Sequence, residues 1–284
     1  MSIRILRHAE LNGFQRSDLD QALAAYYKTP PPTYYATADR AAGCYVPESQ
    51  PFHCDLVSRV QPGMTFLELG CGTAHLCPQV EARGGHYTGM DYSPELLAEN
   101  RRRFPRARFL SIETDLSERF DFVGSLYTIE HVVDPPAYLE RLWRFCQPGG
   151  QLAIICPEFI DGDSLPLSVF YGRTPRRFRE KLQALDFGDA WAHLYDLKWQ
   201  SARWQRRARA AVPGAFWINL QPRALHGAEY SIDADAVHLP RLKDLVWWLE
   251  QRGATILETS RSLRGINPEV LRFNCYVLAR TGNS

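Results

Sequence analysis

Short apolar runs alternate with stretches of helical periodicity from about residue 51 to residue 157. The apolar runs predict strands over 64–69, 86–90, 107–112, 121–126 and 151–156, and the segments between them predict helices near 74–83, 94–104 and 135–147. Apolar strands joined by helices are the pattern of a parallel sheet covered on both faces. Ser93-Pro94-Glu95 reads as a helix start, because serine caps the first turn and proline is tolerated there. Pro148-Gly149-Gly150 stops the third helix and turns into the apolar run Gln151-Leu152-Ala153-Ile154-Ile155.

The alternation stops after Pro157. Residues 158–235 are helical, aromatic and basic with no clear strand, and the pattern resumes as a helix over 240–253 and strands over 254–260 and 271–279. A segment inserted just past a strand's carboxyl end lies on the ligand side of such a sheet, so it is expected to cap the substrate. Residues 1–50 are polar and broken at Pro30-Pro31-Pro32, which no helix can cross. The expected organisation is therefore a helical arm (1–50), a core (51–157), a helical cap (158–235) and the last part of the core sheet (236–284).

Composition adjusts this picture little. A chain of 284 residues holds one large domain with an insertion. A net charge of +1 gives no global pull toward nucleic acid, and no apolar run is long enough for a bilayer span or a signal peptide core. The seven cysteines (44, 54, 71, 77, 146, 156, 275) are odd in number and scattered. They read as free thiols of a cytoplasmic protein rather than a disulfide framework.

Candidate chemistry concentrates at Phe66-Leu67-Glu68-Leu69-Gly70-Cys71-Gly72-Thr73-Ala74-His75. Gly70 and Gly72 allow a tight turn and close approach of backbone to a ligand. Glu68 and Asp91 stand at the ends of neighbouring predicted strands, where carboxylates accept hydrogen bonds from ribose hydroxyls or an ammonium group and repel a phosphate. A dinucleotide loop needs a third glycine where His75 stands, so the fit to NAD or FAD is poor. A purely structural glycine turn would leave both carboxylates unexplained.

With these residues the chain resembles the class I S-adenosylmethionine-dependent methyltransferases. Glu68 to Ala74 resembles the family's first motif, with alanine where a third glycine often stands, and Thr88-Gly89-Met90-Asp91-Tyr92-Ser93 resembles the second. Phe120 to Ser125 with Glu130-His131-Val132, then Leu139 to Gly150, resemble the later motifs in the right order. The resemblance implies an α/β, Rossmann-like fold with a mostly parallel seven-stranded sheet and S-adenosylmethionine as cofactor. It implies that Gly70, Cys71 and Gly72 pack against the methionyl part near Glu68, and that Asp91 holds the ribose with Tyr92 beside it. Glu113 and Thr114 would lie near adenine, with Asp115 an alternative, and Tyr127 and His131 would face the methionyl end or the acceptor. Tyr34, Tyr35 and Tyr45 of the arm would fold over the cofactor, or simply pack the arm onto the domain.

A sulfonium methyl is intrinsically electrophilic, so the protein has chiefly to align a nucleophile and exclude water. A hydroxyl acceptor needs a base, and the candidates are His131, His226 and His238, with Glu130 and Asp163 behind. No Asp or Asn cluster has metal-ligand spacing, so a metal-independent reaction is expected. Between Arg173 and Arg209 ten basic residues face four acidic ones, among several tryptophans. This suits an anionic small-molecule or glycan-type acceptor under an aromatic lid, or a solvated basic face around a small apolar core. The expected activity is O-methylation of a small molecule or glycan precursor in the cytoplasm. The alternatives are N- or C-methylation, an RNA substrate, or a non-catalytic cofactor-binding assembly protein.

Overall fold

The computed structural model describes residues 4–29, 50–162, 165–169, 178–195, 199–226 and 233–282. Its main element is a seven-stranded sheet built from β2 (Thr65–Leu69), β3 (His86–Asp91), β4 (Arg108–Ser111), β5 (Phe120–Leu126), β6 (Cys146–Pro157), β9 (Thr255–Thr259) and β10 (Asn274–Arg280), in the order β4-β3-β2-β5-β6-β10-β9. The first five strands are parallel, and β10 runs antiparallel between β6 and β9.

Alternation along each strand divides the core in two. Leu67, Leu69, Val123, Leu152, Ile154 and Val277 face α5 (Pro135–Phe145) and α9 (Leu242–Glu250), with Leu142, Leu245 and Trp248 between. Phe66, Phe122, Ala153, Ile155 and Tyr276 face the other way, against α2 (Pro51–Ser58), α3 (Cys77–Ala82) and α4 (Pro94–Arg103). Parallel strands thus lie covered on both faces, and their carboxyl ends share one rim.

Several boundaries differ from the sequence expectations. The helix expected near 74–83 begins only at Cys77, because Ala74 takes a left-handed φ of 55°. Residues 271–273 complete the short helix α10 (Pro268–Phe273) before β10 starts. Residues 158–235, read as strandless, contain β7 (Trp217–Asn219), and the arm, read as helical, opens with β1 (Ile5–Arg7) before α1 (Gly13–Lys28). β1 and β8 (His238–Leu239) flank β7 in a small antiparallel sheet. Strands of two or three residues carry too little periodicity to be seen in sequence. Pro30-Pro31-Pro32, Tyr34, Tyr35, Cys44, Tyr45 and Asp163 lie outside the described residues.

Residues 158–235 are joined to the core by two buried charges. Arg241 is fully buried and donates to the carbonyls of Ala208 (2.9 Å), Ala211 (3.2 Å) and Val212 (3.1 Å), at the end of α8 (Ser201–Ala210), and to Asp244 (3.0 Å). Asp244 in turn accepts from the Gly214 amide at 2.8 Å. Glu158 accepts from the amides of Ile160 (3.1 Å), Asp161 (3.0 Å) and Leu242 (2.9 Å), so it caps the start of α9 from the far end of β6. Removing one partner of a buried ion pair strands the other charge. Arg241→Ala is therefore expected to cost about 3–5 kcal/mol in denaturant unfolding; a loss below about 1 kcal/mol, the scale of exposed pairs, would show the pair to be dispensable.

Candidate active site

The turn after β2 is fixed from both sides. Gly70 and Gly72 have φ of 81° and 49°, and the amides of Gly70 and Cys71 both donate to the Met90 carbonyl of β3, at 2.8 and 2.9 Å. A β-carbon on Gly70 would collide with the side chain of Thr128, whose hydroxyl reaches the carbonyls of Gly70 (3.3 Å) and Leu126 (3.0 Å). A β-carbon on Gly72 would meet nothing within 4 Å, so this glycine opens onto free space. Cys71 points its sulfur into the core against Gly89, leaving only its backbone on the turn.

The two carboxylates differ in placement. Glu68 is buried beneath the turn, where it accepts from the Tyr87 hydroxyl; burial, with Asp91 nearby, pushes it up to about 8. Asp91 lies at the rim, with one oxygen accepting from the Gly72 amide (2.8 Å) and the other from Ser93 (3.0 Å). Burial also raises the Asp91 carboxyl above its ordinary range. A carboxylate has about four acceptor positions, so further donors can still be accommodated. Asn100 on α4, which sequence reasoning missed, donates to the Gly72 carbonyl at 2.7 Å. Its sequence signal is an amide at helical spacing from Leu96 and Leu97, on the face that those leucines bury.

Tyr92 stands beside Asp91, partly exposed, within electrostatic reach of Asp20 on α1 and of Glu113. Glu113 pairs with Lys28 of α1 at 3.3 Å. Glu113, Thr114 and Asp115 line a cavity of about 480 Å³ with Arg119, Arg141 and Arg144.

Past β5 the chain builds a second, acidic half. Tyr127, at φ 49°, stacks on His53 at 5.8 Å between ring centres, and burial together with His75 pushes His53 down to about 4. His131 lies 3.8 Å from Glu130 and 3.7 Å from Asp235, and the Tyr27 hydroxyl donates to the same Asp235 oxygen at 2.7 Å. Three parts of the chain meet here: the connection after β5, the end of the 158–235 segment, and α1. Burial alone would lower the His131 pKa, but Asp235, Glu130 and Asp233 outweigh it and hold the imidazole above its ordinary range. Burial pushes Glu130 up to about 8 and Asp233 to about 6. Glu130 Oε2, Asp235 Oδ1 and His131 Nδ1 are buried without hydrogen-bond partners. His238, another base candidate, is wholly buried, contacts the Ile129 carbonyl through Nδ1 (3.1 Å) and is pushed down to about 3 by burial. It is a packing residue; the His226 side chain and Asp163 lie outside the described residues.

A family model described as a methyltransferase domain matches residues 48–259, three quarters of the chain. The chain belongs to the class I S-adenosylmethionine-dependent methyltransferases. The ubiquinone biosynthesis O-methyltransferase of Xylella fastidiosa strain 9a5c is 30% identical over 115 residues, which is 37% of this chain and 47% of that protein. The trans-aconitate 2-methyltransferase of Deinococcus radiodurans is 34% identical over 101 residues, 34% of this chain and 39% of that protein. These matches thus span less than half the length of either relative. A solved 1,6-didemethyltoxoflavin-N1-methyltransferase from Burkholderia thailandensis superposes with a TM-score of 0.53 at 15% identity, covering 96% of this chain and 91% of that one. A S-adenosylmethionine-dependent methyltransferase from Mesorhizobium loti gives 0.52 at 16%, covering 83% and 98%. At these identities the likeness concerns the fold.

The methyltransferase's own residues fit the family's cofactor: Gly72 faces open space, the Gly70 turn shows its backbone, and Asp91 keeps acceptor capacity at the rim. The two glycines are expected to differ when replaced. Gly72→Ala meets only the left-handed strain of about 1–2 kcal/mol, whereas Gly70→Ala adds the Thr128 collision and costs more. Thermal unfolding in a Thr128→Gly background reads that excess, which disappears if the collision causes it and persists if it does not.

Proposed function

We propose that this methyltransferase acts on an oxygen of a small-molecule acceptor, with His131 as general base and Asp235 as the nearby carboxylate that favours its charged form. The observation that carries the reading is the meeting of His131, Asp235 and Tyr27 beside the segment whose Thr128 contacts the Gly70 turn. In support, the relatives named above are a ubiquinone biosynthesis O-methyltransferase and a trans-aconitate 2-methyltransferase.

In this proposal the methionyl part of S-adenosylmethionine lies along the backbone of Gly70, Cys71 and Gly72, with Glu68 supporting the turn from beneath. Asp91 takes the ribose hydroxyls on acceptor positions left by Gly72 and Ser93, while Tyr92, Glu113 and Thr114 border the adenine. Tyr127 stands between the two halves. The bound cofactor supplies an electrophilic methyl group; the chain supplies alignment and proton transfer. The acceptor hydroxyl gives its proton to the imidazole as the oxygen attacks, and the carboxylate of Asp235, fixed by Tyr27, stabilises the imidazolium that results. Glu130, 3.8 Å from the other side of the ring, adds a second carboxyl that favours the imidazolium.

The base must be neutral to act, so kcat/KM should rise with pH along a limb above the usual imidazole value of about 6.5. Asp235→Asn removes one of the charges that raise His131. Its limb should move to lower pH and its plateau fall, while affinity for S-adenosylmethionine by titration calorimetry stays unchanged. His131→Ala should lose about 10²–10⁴-fold in rate. Assays would follow demethylated cofactor released from pools of hydroxylated and carboxylated acceptors. A His131→Ala variant as fast as the parent across the pH range would refute the base and favour an amine acceptor.

A further inference from the structure

Residues 182–195 and 199–207 carry an exposed face that the site does not use. Helix α7 (Phe187–Tyr195) follows α6 (Phe178–Gln183) through a turn in which Leu185 takes a left-handed φ of 58° and stands 74% exposed. Along α7, Phe187 (61% exposed), Trp191 (64%) and Tyr195 (46%) recur every four residues, the spacing of one helical face. Trp199 (55% exposed) continues the series. Its ring lies 6.5 Å from Trp191 and 5.8 Å from Tyr195, so the aromatics form one patch rather than scattered exposures.

The same face becomes basic further on. Trp199 and Gln200 lead directly into α8, whose Ser201, Gln205 and Ala208 are buried. Helical spacing puts Trp199, Arg203, Arg206 and Arg207 on the opposite side, and all four are exposed. The three arginines make no ion pair among the described residues. Aromatic rings bordered by arginines that pair with none of the described acidic residues match the headgroup level of a membrane. Anionic lipid complements the arginines, whereas a second copy of this face would set arginine against arginine. None of the described helices is long and apolar enough to cross a membrane, so the contact would lie along the surface.

We propose that the Phe187–Trp191–Tyr195–Trp199 stripe and Arg203, Arg206 and Arg207 form a docking surface for an anionic lipid bilayer. The aromatics enter the headgroup region and the arginines face lipid phosphates. The surface acts independently of the acceptor assignment, so it can be tested without methyl transfer.

The test is co-sedimentation of the full chain with vesicles of phosphatidylcholine alone and of phosphatidylcholine mixed with phosphatidylglycerol. Sedimentation with the mixed vesicles only, a blue-shifted tryptophan emission on binding, and weakening at about 1 M salt, where charges are screened within about 3 Å, are expected. Trp191→Ser/Trp199→Ser and Arg203→Glu/Arg207→Glu should each reduce partitioning about tenfold or more. Both should still bind S-adenosylmethionine, which reports that they are folded. The proposal is overturned if the parent ignores the mixed vesicles, or if both double variants bind them as the parent does. It is equally overturned if ultracentrifugation shows a dimer that the tryptophan variant dissolves, or if single-stranded RNA, rather than vesicles, is bound through this face.

Discussion

The site depends on the contact between Gly70 and Thr128. The first ends β2 and the second follows β5, and they fit only because Gly70 has no side chain. A parallel sheet brings neighbouring strand ends to one rim but leaves the loops above them free to choose their distance. Here that distance is set by van der Waals contact and a hydroxyl. It fixes the glycine turn, with Asp91 on its other side, against the segment that carries Tyr127 and His131. Both halves are therefore held against each other by contacts within the chain, the condition for alignment without reorganisation.

Two unlike electrostatic regimes lie side by side on that rim. The turn is paired locally: amides of Gly72 and Ser93 each donate to one oxygen of Asp91, and Tyr87 donates to Glu68. The acidic half keeps buried polar atoms unpaired on Glu130, His131 and Asp235. Such atoms are costly in a folded protein and concentrate where a ligand or a proton completes them. Burial and mutual repulsion spread the ionisations of Glu130 and Asp233 over a range that includes neutrality.

Much of the sheet was legible because its strands are buried on both faces and so read as unbroken apolar runs; Phe66 to Leu69 and Leu152 to Ile155 are examples. The glycine turn and Asp91 were legible because they lie 19 residues apart in a strand–helix–strand unit of ordinary length. What escaped depended on long-range pairing. Tyr27 and Asp235 are separated by 208 residues, and no local pattern in either segment announces the other. Ala74 hid a late helix start, since an alanine gives no warning of a left-handed backbone. β1 and β7 were too short to show alternation, and only their pairing with each other and with β8 makes them strands.

That small sheet has a consequence for how firmly the segment carrying His131 is held. β1 belongs to the arm, β7 to the 158–235 segment, and β8 to the chain returning to the core, so three stretches are hydrogen-bonded into one plate. The plate is fastened to the rim, because the Val237 amide donates to the Glu130 carbonyl at 2.8 Å and His238 contacts Ile129. Hinging the plate outward would break these bonds together and pull on the backbone beside His131. The backbone behind His131 is thus braced from three distant parts of the sequence at once.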